Sequence, residues 1–266
     1  MSQNITSFLS LQFVCVVTLR KILKKGYPNL THQHYAKYSL RELFDMVNEI
    51  KALIDKEIRL ELRQKYAING MLLYIVSTVY VCYLSFRLKT NHIDKITWNT
   101  LFWIIILFTA VNAIAKSFTQ ERYGRLLYYY TLANPVGIIV SKIIYNSILM
   151  LVLSLVGFGV YGLVMGNPVG DVGLYLVALI LGAIGFASTL TMIAGIASKA
   201  ENSATLMAVL SFPVIIPMLL MLIKISKNAL DGLDRGESLD EVMILLAIDA
   251  IVLVLSVILF PFLWRS

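Results

Sequence analysis

VGIIVSKIIYNSILMLVLSLVGFGVYGLVM, Val136 to Met165, decides the fold. One charged side chain, Lys142, stands in it. A helix needs about 20 apolar residues to cross the hydrocarbon core of a bilayer. This run is long enough to cross and still tilt or protrude. Lipid offers no hydrogen bonds to backbone N–H and C=O groups, so a crossing segment must be helical.

Working outward from it, five more runs qualify. Met71–Phe86 and Trp98–Ala115 precede it, and Val172–Ala197, Ala204–Ile223 and Val242–Leu263 follow. Composition agrees. The chain is 58% hydrophobic and 15% charged, where a soluble domain is roughly 25% charged. The net charge of +7 is not gathered on one face as in a nucleic-acid binder. Instead the Lys and Arg residues sit between the apolar runs, so lipid is the expected partner and nucleic acid is not. The expected fold class is an all-α integral membrane protein with six transmembrane helices.

Orientation follows from the basic residues in the connections. Lys51, Lys56, Arg59, Arg63 and Lys65 precede the first span. Lys116, Arg122, Arg125, Lys142, Lys199 and Arg265 fall on the same side. The other side holds Arg87, Lys89, Lys95, Lys224, Lys227 and Arg235. Eleven against six places both ends of the six-helix unit in the cytoplasm.

The N-terminal stretch, residues 1–45, does not match the rest. Ile5–Leu19 is apolar but short, and its basic residues follow it, whereas those of a secretory signal precede the apolar run. Two readings stand: an interfacial helix, or a start codon assigned upstream of a true start at Met46. The second is preferred, because the pattern from Met46 onward is complete. His32 and His34 form an HxH with no accompanying ligand cluster, which reads as a solvated linker rather than a metal site. Residues 46–68 have helical periodicity, with Val47, Ile50, Ile54, Ile58 and Leu62 in one stripe and Asp55–Arg59 and Glu61–Lys65 as i,i+4 pairs. This is the pattern of an amphipathic helix on the membrane surface or of a cytoplasmic helix packed on the bundle, and the interfacial reading is preferred. Residues 69–266 form the transmembrane domain.

The most informative connection is KSFTQERYGRLLYYYTLANP, Lys116–Pro135. A plain connection needs only a few residues. This one has its own helical signal, with Glu121 and Arg125 four apart, and three successive tyrosines suited to a membrane–water boundary. Asn134–Pro135 reads as the turn that starts the next span. The segment is either a short helix that transmits force from a soluble partner or a surface-lying anchor.

These residues resemble the haem exporter protein B family (CcmB), the permease-like subunit of the cytochrome c maturation ABC complex. Phe118, Glu121, Arg122, Gly124, Leu126, Leu127, Pro135 and Lys142 follow the family's pattern for this loop. The Phe212–Pro217 stretch, FPVIIP, has the family's two prolines four apart, and KEIRLELRQKY at Lys56–Tyr66 is similar to its first cytoplasmic helix. The likeness runs from Met46 to the C-terminus. It implies an ABC-2-like permease that pairs with a separate ATPase subunit (CcmA-like), works as a homodimer, and acts beside a haem-handling membrane subunit (CcmC-like). ATP enters through the partner and haem is handled by the complex, with no cofactor bound directly to this chain. It also implies that Glu121, Arg122, Gly124, Arg125 and Leu126 contact the ATPase, in the bacterial inner membrane.

The chain has no GxxxxGK[ST], HExxH, GxSxG or CxxCH motif, so neither nucleotide binding nor catalysis is expected of it. Cys15 and Cys82 read as inert apolar residues, and His92 as a solvated loop residue rather than a haem ligand. Pro213 and Pro217 each remove a backbone hydrogen bond inside the fifth span, as a hinge or as a static kink. Gly182, Gly185 and Ser188 allow close helix packing within the subunit. Asp249 is the acid inside a span, where function and polar glue between helices are both open. The alternative function is a generic ABC-2 exporter permease for a lipid, drug or glycan. An intramembrane enzyme is disfavoured because Asp249 has no second intramembrane acid.

Overall fold

The computed structural model describes residues 32–63, 65–87, 93–119, 134–198, 203–233 and 235–265. Their elements are α1 (His32–Arg63), α2 (Lys65–Arg87), α3 (Lys95–Thr119), α4 (Pro135–Met165), α5 (Val172–Ala197), α6 (Ser203–Asp231), a 3-10 turn (Arg235–Ser238) and α7 (Leu239–Arg265). No strand occurs among the described residues. The chain divides into two compact units, residues 1–48 and 49–266. The described part of the first, residues 32–48, is helical. Six helices, α2 to α7, are long and apolar enough to cross a membrane, as the sequence implies.

Several boundaries differ from expectation, among them the end of the expected 46–68 helix, which stops at Arg63, and the start of the first span, which begins at Lys65. His32 and His34 open α1 instead of lying in a linker, since no Gly or Pro interrupts the chain from His32 to Arg63. The fifth span was expected to stop at Ile223, but α6 continues to Asp231. Its polar last turns reach other elements and their own backbone: Lys224 pairs with Glu241 at 2.7 Å, Ser226 Oγ bonds the Leu222 carbonyl at 2.6 Å, and Asn228 Nδ2 donates to Ser238 Oγ at 2.9 Å. The helix ends where Gly232 takes φ 68° and Leu233 N–H bonds the Asn228 carbonyl at 3.2 Å, a Schellman closure that favours glycine. The sixth span begins at Leu239 rather than Val242.

Helix α5 is the hub and packs on α3, α4, α6 and α7. In its apolar window 67% of residues are buried, against 17% in α2, which packs on α3 and α4 at the rim. Small residues let α5 occupy the centre. Gly182 lies against Trp103 of α3 and Leu222 of α6, and Gly185 lies against Asp249 of α7 and Met218 of α6. These are contacts within the subunit.

An aromatic cluster joins α3, α4 and α5. Trp98 and Tyr161 centroids are 4.7 Å apart, and Phe158 stacks on Tyr175 at 4.8 Å. The polar tips of these rings find partners, as buried Trp and Tyr usually do. Trp98 Nε1 donates to the Gly166 carbonyl (3.1 Å), Trp103 Nε1 to Ser226 Oγ (2.8 Å) and the Tyr161 hydroxyl to the Trp98 carbonyl (2.9 Å). Beside them Asn99 Nδ2 reaches the Ile223 carbonyl at 3.0 Å.

At that end of the bundle, Asp171 both caps α5 and receives Arg235. Its Oδ1 accepts from Gly173 N–H (2.9 Å) and Leu174 N–H (3.2 Å). Arg235 grips both carboxylate oxygens, Nε to Oδ2 at 2.6 Å and Nη2 to Oδ1 at 3.0 Å. The Arg235 hydrogen bonds, helped by the backbone N–H groups, hold the Asp171 carboxyl at about 2. Lys95 adds a bond to the Leu230 carbonyl at 3.0 Å.

Candidate functional site

The opposite end of the bundle carries a joint between α1 and α4. Residues 49, 53, 57 and 61 are spaced by four and form one row along α1. The row reads Glu, Leu, Glu, Glu, and its acids meet the first turns of α4. Glu49 Oε1 accepts from the Asn134 N–H at 2.7 Å. Asn134 Oδ1 in turn accepts from Val136 N–H at 3.1 Å, and Pro135 sits at the first helical position. A carboxylate at this point is favoured by the positive end of the helix dipole. Gly137 lies in van der Waals contact with it: a Cβ there would stand 3.4 Å from Glu49 Oε1.

Two turns further, Lys142 Nζ lies 3.2 Å from Glu57 Oε1. Lys142 is 1% exposed. Lys56 contributes a second cation to Glu57 at 3.1 Å. Tyr145, on the same face of α4, is buried next to Glu61 and Glu57. Leu53 packs on the core between the acids.

The neighbouring row of α1 is apolar and turned elsewhere. Val47 and Ile58 are exposed, and Ile50 and Ile54 are half-buried. At 3.6 residues per turn this row is offset about 100° from the acidic one. An exposed apolar stripe beside an acidic row seated on protein suits a helix lying at the lipid surface.

The sequence reading missed this acidic row because it followed the apolar stripe. A signal existed. Lys142 is a lone cation inside an apolar run and needs an acid partner, and Glu49, Glu57 and Glu61 share one helix row.

The expected ATPase contacts, Glu121, Arg122, Gly124, Arg125 and Leu126, lie outside the described residues, as does His92. The flanks of their segment are described: helix continues through Thr119, and the chain is described again from Asn134, where Glu49 holds it.

Pro213 and Pro217 lie inside α6, which continues through both as helix. Both are exposed on the bundle's outer face, together with Val209, Ile216 and Leu220. Neither has an N–H to donate, so the Val209 and Pro213 carbonyls lose their usual helical partners on that face.

Asp249 is 4% exposed. Neither carboxylate oxygen has a hydrogen-bond partner among the described residues. The side chain fits because Gly185 has none: a Cβ there would come within 2.5 Å of Asp249 Oδ1 and of Met218 Sδ. A buried carboxyl without partners forgoes stability. The carboxyl is enclosed by protein beside Gly185 of α5. Elsewhere in the core Asn146 Nδ2 donates to Thr191 Oγ1 at 2.8 Å, joining α4 to α5.

Among the described residues, no group of three or more His, Cys, Asp or Glu side chains is placed to hold a metal ion. The described residues form a charged joint at one end, a centrally packed helix, and an ion pair at the far end.

The family model described as CcmB protein matches residues 48–264, from the row of Glu49 to the last turn of α7. No curated protein matches the chain. The matched region contains all six spans and the α1–α4 joint, and the chain belongs to the CcmB family, whose members are membrane permease subunits of haem-export ABC complexes.

Proposed function

We propose that this chain is the permease subunit of an ABC-type complex in cytochrome c biogenesis, driven by ATP hydrolysis in a separate CcmA-like subunit. Its role is to carry movement from that subunit into the membrane, for haem delivery or for release of the haem-loaded chaperone. The observation that carries the reading is the CcmB match across residues 48–264, laid over six apolar spanning helices. A long connection leaves α3 and re-enters at α4, and the entry point is seated on α1 by Glu49. Residues Glu121–Leu126 of that connection are proposed as the ATPase contact.

The membrane is proposed to be the bacterial inner membrane, with α1 and both ends of the six-helix unit cytoplasmic. Two observations support that orientation: the basic residues are concentrated at the α1 end, and α1 presents an apolar stripe beside its bundle-facing acids. Two copies of the chain and a CcmC-like haem-handling subunit complete the proposed complex.

Deleting the gene and staining for covalent haem tests the pathway. Loss of c-type cytochromes is expected, and normal haem attachment would favour an exporter of another substrate. Charge reversal at Glu121 and Arg125 tests the contact. It is expected to abolish co-purification with the ATPase subunit, and intact co-purification would move the contact elsewhere.

A further inference from the structure

We infer that Glu49, Glu57 and Lys142 form a two-point joint that makes residues 49–63 of α1 and the start of α4 move as one body. Movement of the 116–135 connection then reaches the first and third spans together. The inference rests on the proposed coupling to an ATPase.

The geometry is specific. Glu49 holds Asn134, and Glu57 holds Lys142. Both attachments join residues 85 apart in sequence, so the two helices run side by side in the same direction. Eight residues separate the attachments on each helix, about 12 Å at 1.5 Å per residue. One attachment would leave α1 free to pivot, whereas two that far apart fix both its position and its angle.

The attachments differ in kind. The Asn134 contact is charge-assisted and lies at the exposed start of α4. The Lys142 contact is buried, with side-chain exposures of 2% and 14%. A buried pair is costly to break on one side, because the remaining charge has no water to return to. The joint therefore resists separation most strongly two turns inside α4. Asn134 is also the N-cap residue through which the 116–135 connection enters α4. A push or pull there meets Glu49 first, and α1 leads on to α2 by way of residue 64. The positioning residues are thus Glu49, Glu57 and Lys142, none of which touches substrate.

The test uses the whole complex. Glu57→Lys and Lys142→Glu reverse one charge each, and the double variant restores the pairing. Glu57→Gln/Lys142→Met removes both charges of the pair and unpairs from Glu57 only Lys56, whose side chain reaches solvent, which protects the fold. For the neutral double, membrane level, co-purification and ATP hydrolysis are expected to stay within about twofold of wild type, while c-type cytochromes fall at least fivefold. The swap is expected to recover at least half of the output lost in either single variant. Wild-type output from the neutral double overturns the joint, and so does a swap that reaches the membrane but recovers nothing. Spin labels at exposed Arg59 and Ile148 read the joint without the pathway. Their separation is expected to be the same with and without ATP in wild type and to broaden in the neutral double. An ATP-dependent change in wild type overturns the joint. A gene deletion that leaves c-type cytochromes normal overturns the pathway reading instead, and the label distances still judge the joint.

Discussion

Gly182→Ala is the sharpest test of the packing that holds the bundle together. A methyl at residue 182 would stand 2.8 and 2.9 Å from Trp103 Cζ3 and Cη2, and 3.1 Å from Leu222 Cδ1. Ordinary contact begins near 3.5 Å, so several tenths of an ångström must be found. The indole cannot retreat freely. It is 1% exposed, its Nε1 is bonded to Ser226 Oγ at 2.8 Å, and Ser226 is bonded to the Leu222 carbonyl at 2.6 Å. Trp103, Leu222 and Ser226 therefore shift together, which moves α6 away from α5. Overpacking of this kind costs about 1–3 kcal/mol. Replacing a helical glycine by alanine returns up to about 1 kcal/mol. The net expectation is a loss of about 1 kcal/mol, within a range of roughly zero to 2. Gly159→Ala is the control, because nothing lies within 4 Å of its added methyl. It keeps only the favourable term, and its expected effect is zero to about 1 kcal/mol of stabilisation. Reversible unfolding in mixed micelles, by tryptophan fluorescence, measures both. A Gly182→Ala variant as stable as Gly159→Ala would refute the close approach of α5 to α3 and α6.

Three other outcomes are expected. Lys142→Ala leaves Glu57 with only the partly exposed Lys56 and should cost up to about 3 kcal/mol in the same unfolding assay; an unchanged midpoint would mean the pair is hydrated. Asp249→Asn should lower c-type cytochromes several-fold if the carboxyl works in the cycle, read by haem staining; unchanged levels would leave it a packing role alone. The Asp171 carboxyl, held at about 2, lies below its unfolded value of about 3.9. Its stabilisation is present above about pH 4 and lost as pH falls through about 2. Arg235→Gln removes the largest cause of that depression, so thermal stability should be lower above about pH 4 and fall less between about pH 4 and 2; a curve superimposable on wild type would remove Asp171 from the latch.

Much of the fold was legible because lipid imposes a simple rule on sequence. Val136–Met165 and Val172–Ala197 read as spans and are α4 and α5 to within a residue. The ends of α6 and α7 were not legible. Lys224–Asp231 looks like a polar loop until Lys224 meets Glu241 and Asn228 meets Ser238, and those partners lie on the next element. The site was harder still. The prolines and Asp249 announce themselves as exceptions within apolar runs. Glu49 and Glu57 do not, because acids on a charged amphipathic helix look like a solvated face.

By itself, the sequence determined that the chain crosses a membrane six times and which segments do so. Each span must satisfy its own backbone and turn apolar side chains to lipid, and both demands are local. Only the tertiary structure decided that α5 is the hub, that Asp249 is housed beside Gly185, and that α1 is tied to α4 at two points. Those facts depend on which residues far apart in the chain come within a few ångströms of each other. Glu57 and Lys142, 85 residues apart, have meaning as a pair only once α1 and α4 lie side by side.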